Sequence, residues 1–227
     1  MTTKIALVHD YLKGEGGAEQ VLLALHEIYP SAPIYTIFSS IKKNSSLARK
    51  FGNARIVESW FGKLPYKERL ISPLRFLIPL IWGSLDFSEY DLIVSSASWA
   101  ITKGFGRSKT KSASAQGFGE TREICYCHTP SRYLYGYETS RDLEKNVFVR
   151  IYATIVNHFM RIYDFQRAQK VDFFIANSRE VQGRIKKFYR RESTIIYPPV
   201  EIPNGCKVQS AKCKVKIVLK IFLGRKH

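Results

Sequence analysis

The run Lys4-Ile5-Ala6-Leu7-Val8-His9-Asp10, followed by Gly14, Gly16-Gly17 and then Ala18 to Ile28, decides the fold class of this chain. Ile5 to Val8 is continuously apolar, as strands buried on both faces of a parallel sheet are. After the glycines, Val21, Leu22, Leu25 and Ile28 recur at helical spacing. The stretch reads as a strand, a glycine loop and a helix, the opening unit of an α/β domain.

The same alternation continues outward. Pro33 introduces a strand over Ile34 to Phe38, and Ile56-Val57 offers a third. Residues 65 to 83 read as apolar helical pieces kinked by proline; within Leu70 to Leu85, Pro73, Arg75 and Pro79 interrupt what would otherwise approach a membrane segment. Leu92-Ile93-Val94 is another buried strand, bounded by Asp91 and by Ser95-Ser96, and Cys125-Tyr126-Cys127 a further one. Residues 103 to 122, rich in Gly, Ser and Lys without apolar periodicity, are expected to form a mobile loop. From Asp142 to Lys170, Val147, Ile151, Ile155, Phe159 and Ile162 follow a helical stripe that should mark the longest helix. Phe173 to Ala176 and Thr194 to Tyr197 are strands, and between them Ser178 is placed to cap a helix with Glu180 in its first turn and Lys186-Lys187 near its end.

Composition narrows the function classes. The 227 residues are 45% hydrophobic, enough for a real core, and carry a formal charge of +17. Such a charge attracts phosphorylated ligands, acidic lipid headgroups or nucleic acid. Nucleic acid is the weakest of these, because the chain contains no recognisable nucleic-acid module. Cys125, Cys127, Cys206 and Cys213 lack paired zinc-site spacing and read as reduced thiols, so no metal is expected. With no secretory leader and no run of about 20 apolar residues, the expected location is cytoplasmic, with peripheral contact at the inner membrane face.

The candidate chemistry gathers where strands end. In open α/β sheets ligands bind outside the carboxyl ends of the strands. His128-Thr129-Pro130-Ser131-Arg132-Tyr133 leaves such an end. An unperturbed histidine titrates near neutrality, and His128 could hydrogen-bond a ligand hydroxyl, accept a proton, or simply bond backbone. Arg132 and Tyr133 could hold a phosphate and stack on a ligand ring, or be surface groups. Asp10 could bond a ligand hydroxyl or cap its own loop. Gly16 and Gly17 let a ligand approach a helix N-terminus. Their spacing is not that of a dinucleotide fingerprint, and Ser39-Ser40 stands where a ribose-binding carboxylate would be, so a nicotinamide enzyme is disfavoured.

Taken in order, the blocks Lys4 to Asp10, Gly16-Gly17-Ala18-Glu19, Asp91 to Ser96 with Lys103-Gly104, His128-Thr129-Pro130, Asp172 to Ser178 and Ile196-Tyr197-Pro198-Pro199-Val200 resemble the amino-terminal domain of family 4 glycosyltransferases. The resemblance implies a Rossmann-like parallel sheet flanked by helices, one half of the GT-B architecture. It spans 1–202, leaving 203–227 as a basic tail where a donor domain would begin. It implies a retaining hexosyltransferase that takes a nucleotide-sugar as donor substrate, needs no cofactor, and serves a glycan or lipid-linked acceptor. His128 would lie near the transferred sugar, with Asp10, Gly16, Gly17, Arg132, Tyr133, Asn177 and Ser178 around the acceptor or sugar phosphate. The missing donor half could be separately encoded, and these 227 residues alone are expected to be inactive. Arg161 and Asp164 also match the pattern but stand three apart on a helix, where they would pair with each other.

Overall fold

The computed structural model describes residues 3–14, 16–41, 45–106, 121–137 and 147–199. Strand β1 (Ile5–His9) leads into helix α1 (Gly17–Ile28), then β2 (Ile34–Thr36), α2 (Ser46–Phe51) and β3 (Ile56–Glu58). Short helices α3 (Lys67–Leu70) and α4 (Ile78–Gly83) precede β4 (Leu92–Ala97) and β5 (Arg122–Cys127). Helix α5 (Val147–Gln169), β6 (Phe173–Ala176), α6 (Arg179–Tyr189) and β7 (Ser193–Ile195) complete the order. All seven strands join one parallel sheet in the order β3-β2-β1-β4-β5-β6-β7, so the chain is an α/β, Rossmann-like domain. The order reverses between β1 and β4, and in open α/β sheets the carboxyl ends of the strands at such a point are where ligands bind.

The period-two alternation of the strands sorts the core. Leu7, Val94, Ile124, Tyr126 and Ile175 face one side and bury Val21, Leu22 and Leu25 of α1. Ala6, Val8 and Ile93 face the other side, with Ile78, Ile81 and Trp82 of α4. Cys125, Cys127, Phe174 and Ala176 continue on that side against Val181, Ile185 and Tyr189 of α6. Most of the expected elements appear, and Ser178 caps α6 by accepting from the Val181 N–H at 3.2 Å.

Two readings need correction, and one helix, whose facing the sequence left open, turns its apolar stripe to solvent. First, residues 103–106 are not a mobile stretch. Lys103 is fully interior, paired with Asp164, and the N–H groups of Gly104, Phe105 and Gly106 all donate to the Glu123 carboxylate. Gly104 has φ +79, and a Cβ there would collide with the Arg167 carbonyl oxygen, so this glycine is obligatory. Arg122 begins β5; the remaining loop, 107–120, lies outside the described residues, as do 138–146 and 200–227 with the basic tail. Second, Ser95 and Ser96 do not end β4 but lie within it, both without solvent exposure.

The apolar stripe of α5 faces outward. Val147, Ile151, Ile155, Phe159 and Ile162 are exposed, while Ala153, Met160, Asp164 and Ala168 turn inward. The inward face is chosen by polar anchors. Asp164 pairs with Lys103 and accepts from the Tyr135 hydroxyl at 2.8 Å, so it does not serve Arg161 as the spacing suggested. Asn157 accepts from the Arg75 Nε at 3.0 Å and donates to the Tyr133 carbonyl at 3.1 Å. Arg75, which interrupts the apolar run near residue 75, is itself buried between the rings of Tyr133 and Tyr152.

Candidate functional site at the carboxyl edge of the sheet

His9 ends β1 directly opposite Ser96 in β4, and Ser96 stands opposite Tyr126 in β5. His128, two residues past Tyr126, falls on the same face of the sheet. That register assembles a chain of three polar side chains beside α1. His9 Nδ1 lies 3.1 Å from Ser96 Oγ, and Ser96 Oγ lies 2.9 Å from His128 Nε2. A serine hydroxyl has one proton, so with both rings neutral it donates to one imidazole and accepts from the other; the two tautomers are coupled.

The electrostatics keep these rings neutral. Burial, followed by the neighbouring His9, lowers the His128 pKa to about 4, against a smaller opposing pull from Asp10. Burial likewise lowers that of His9, opposed by Asp10 and Glu19. At neutral pH His128 is therefore a hydrogen-bonding imidazole and a weak base, suited to a hydroxyl rather than to a phosphate. Its backbone is clamped from both sides. The Ala97 carbonyl accepts from the His128 N–H at 2.8 Å, and Asn177 Nδ2 donates to the His128 carbonyl at 3.0 Å. Arg184 of α6 donates to the Thr129 hydroxyl at 3.1 Å, pairs with Glu180 and lies over the Tyr137 ring at 4.1 Å.

The Asp10 carboxylate caps the loop after β4. It is buried and accepts from Ser98 N at 3.1 Å, Ser98 Oγ at 2.8 Å, the Trp99 N–H and the Thr102 hydroxyl. It fixes the loop after β4, which carries Ile101 at φ +54, a left-handed conformation costly for a β-branched residue. Three acids thus hold ten residues, 97–106: Asp10 at the start, Asp164 through Lys103, and Glu123 at the end. Burial is the largest influence on the Lys103 ammonium and disfavours it, but the opposing attractions, led by Asp164, together raise its pKa; burial raises that of Glu123 against its four donors.

The remaining candidates divide. Gly16 and Gly17 open α1 on the same sheet face as His9, and a Cβ on Gly17 would meet nothing within 4 Å, so space lies before this helix end. Glu19 already accepts from the Gly16 N–H at 3.1 Å, taking one donor that an anion would otherwise use. Arg132 is exposed. Tyr133 is drawn inward, its ring 5.3 Å from that of Trp99 and 5.5 Å from the Arg75 guanidinium, so it packs rather than offering a face to a sugar. Asn177 and Ser178 are structural in their contacts: one braces the His128 loop, the other caps α6. Burial pushes the Cys127 thiol up to about 12 and that of Cys125 well above its ordinary value, leaving both inert. His9, Ser96, Thr102, Glu123 and Arg184 were not singled out from the sequence. The sequence shows only that two strands, Leu-Ile-Val-Ser-Ser and Ala-Leu-Val-His-Asp, end in polar residues, and register alone brings those ends together.

With this geometry in place the comparison with solved structures is decisive for the fold. The Anabaena protein HepE, solved in complex with UDP and glucose, superposes with a TM-score of 0.51 over 98% of this chain at 16% sequence identity. The chain has the fold of a GT-B lobe. It spans about half of HepE, 50% of that chain. Arabidopsis thaliana UGT89C1, complexed with UDP, aligns at 15% identity over 96% of this chain and 55% of its own, with a TM-score of 0.36, and the fold assignment rests on HepE alone. No family model matches the sequence, and no curated protein matches it significantly.

Proposed function

We propose that this chain is the acceptor-side lobe of a retaining hexosyltransferase, moving a sugar from a nucleotide-sugar to a glycan or lipid-linked acceptor at a membrane face. The observation that carries the reading is the His9-Ser96-His128 chain at the point where strand order reverses, in a lobe that shares its fold with a protein that binds UDP and glucose. The ordered motifs resembling family 4 glycosyltransferases support the same reading.

On it, His128 hydrogen-bonds a hydroxyl of the transferred sugar and orients it. With a pKa near 4 it is too weak a base to take the acceptor's proton at neutral pH, so that proton passes to the departing phosphate. Ser96 and His9 hold its tautomer. The diphosphate is neutralised by helix N-termini and cationic side chains of a second lobe, in the same polypeptide or a separately encoded partner. Neither cofactor nor metal is called for.

The test is transfer of labelled sugar from UDP-glucose into membrane lipid extract. The 227-residue chain alone is expected to give none. A chimera joining it to the complementary half of HepE should turn over, and His128→Ala in the chimera should lose about 100-fold or more in kcat. Robust transfer by the chain alone, or an undiminished His128→Ala chimera, contradicts the reading.

A further inference from the structure

Helix α5 is apolar on two opposite faces. Ala153, Met160 and Ala168 face the domain, while Phe148 (82% exposed), Ile151, Ile155 (55%), Phe159 (65%) and Ile162 lie along the other side at spacings of three and four over four turns. A contiguous apolar strip of this length on a soluble surface marks a binding face. Its chemistry is set by what surrounds it. Arg150, Arg161 and Lys170 are exposed on or next to the helix, and its only acid, Asp164, is buried against Lys103. The exposed helix surface is therefore apolar and basic with no negative charge, in a chain of net charge +17.

We infer that the outer face of α5 docks on an anionic lipid bilayer, lying in the headgroup plane with Phe148, Ile151, Ile155, Phe159 and Ile162 immersed, while Arg150 and Arg161, exposed together on one flank of the helix, reach back to lipid phosphates. This matches how interfacial helices bind, by apolar burial combined with attraction to acidic headgroups. A second copy of the chain fits poorly: it would bring the same arginines and the same net charge to the interface without an exposed acid on the helix to meet them. The inference rests on the helix surface and its readout is vesicle binding, so it stands or falls separately from sugar transfer.

The experiment is co-sedimentation of the full chain with phosphatidylcholine vesicles, with and without about one third phosphatidylglycerol. Wild type should partition onto the acidic vesicles only. The double variant Ile155→Ser/Phe159→Ser keeps the net charge and replaces only exposed side chains, and it should bind at least about tenfold more weakly with an unchanged melting temperature. Phe159→Trp should gain an emission component that shifts to the blue on acidic vesicles and is quenched by brominated acyl chains. Undiminished binding by the double variant would place the contact elsewhere and overturn the inference. So would a lack of vesicle binding, and so would wild-type dimers in sedimentation velocity that the double variant abolishes, which would make this face a protein interface.

Discussion

Two regions of this lobe reverse the usual sorting of side chains, in opposite directions. From the carboxyl ends of β1 and β4 down to the start of β5, His9, Asp10, Ser95, Ser96, Lys103, Glu123 and Asp164 are all buried. Along the outer face of α5, Val147, Ile151, Ile155, Phe159 and Ile162 are exposed. The interior polar groups are matched to one another: every acid there has donors, and together they hold residues 97–106 in place. The exterior apolar groups have no such internal explanation. A buried polar network shows what the fold must hold still, and an exposed apolar strip shows where the fold expects something else.

The largest expected effect breaks the first region. Asp164→Ala leaves the Lys103 ammonium buried without its partner and should cost about 3–5 kcal/mol in urea unfolding, whereas Lys103→Met/Asp164→Leu should recover much of it. A loss under about 1 kcal/mol for Asp164→Ala would mean that the pair is open to water. The next sharpens the contrast between helices. Ile185, fully buried on α6, should cost about 2–5 kcal/mol as Ile185→Ala, while Ile155→Ala on the outer face of α5 should stay within about 0.5 kcal/mol. Equal losses would show α5 rotated from the orientation described.

The histidines give a pH test. His128 has a folded pKa of about 4 against an ordinary 6.5, so as pH falls through 6.5 the unfolded chain takes up a proton that the native chain refuses. Stability from this group is intact above pH 6.5 and declines until about pH 4, by roughly 2–3 kcal/mol, discounted because part of the ring meets solvent. His128→Gln should flatten that part of the curve; an unchanged slope would show that burial of this ring does not set its protonation. The smallest effect concerns the helix entrance. Gly17→Ala has room for its Cβ and should raise stability by about 0.5–1 kcal/mol while impairing ligand approach, a separation that a purely conformational role for this glycine would not produce.

Much of this was legible in the sequence. Continuous apolar runs revealed β1, β4 and β6, and Ser178 announced the start of α6 because an N-cap is a local arrangement. The polar chain of the site was not legible, because Ser96 becomes meaningful only once register places it between His9 and His128. The loop contacts of Asp10 were not legible because its donors come from residues 98–102, nearly ninety positions away in sequence. The stripe of α5 marked the longest helix but left its buried side open, for a physical reason. Periodicity identifies a helix but not its buried side when both sides are apolar, and here Asn157 and Asp164, bonded to Arg75 and Lys103, determined the choice.

The most direct test of the central claim, that His128 lines a sugar site at the carboxyl ends of β1 and β4, is side-chain nitrogen NMR of the histidines in the chimera with the complementary half of HepE during titration with UDP-glucose, with UDP as the control. His128 should remain neutral at pH 7, and its ring resonances, with those of His9, should move with UDP-glucose and not with UDP, while the exposed His158 on α5 stays still. If His128 is silent and His158 responds to both ligands alike, binding is general attraction to a basic surface and the claim is wrong.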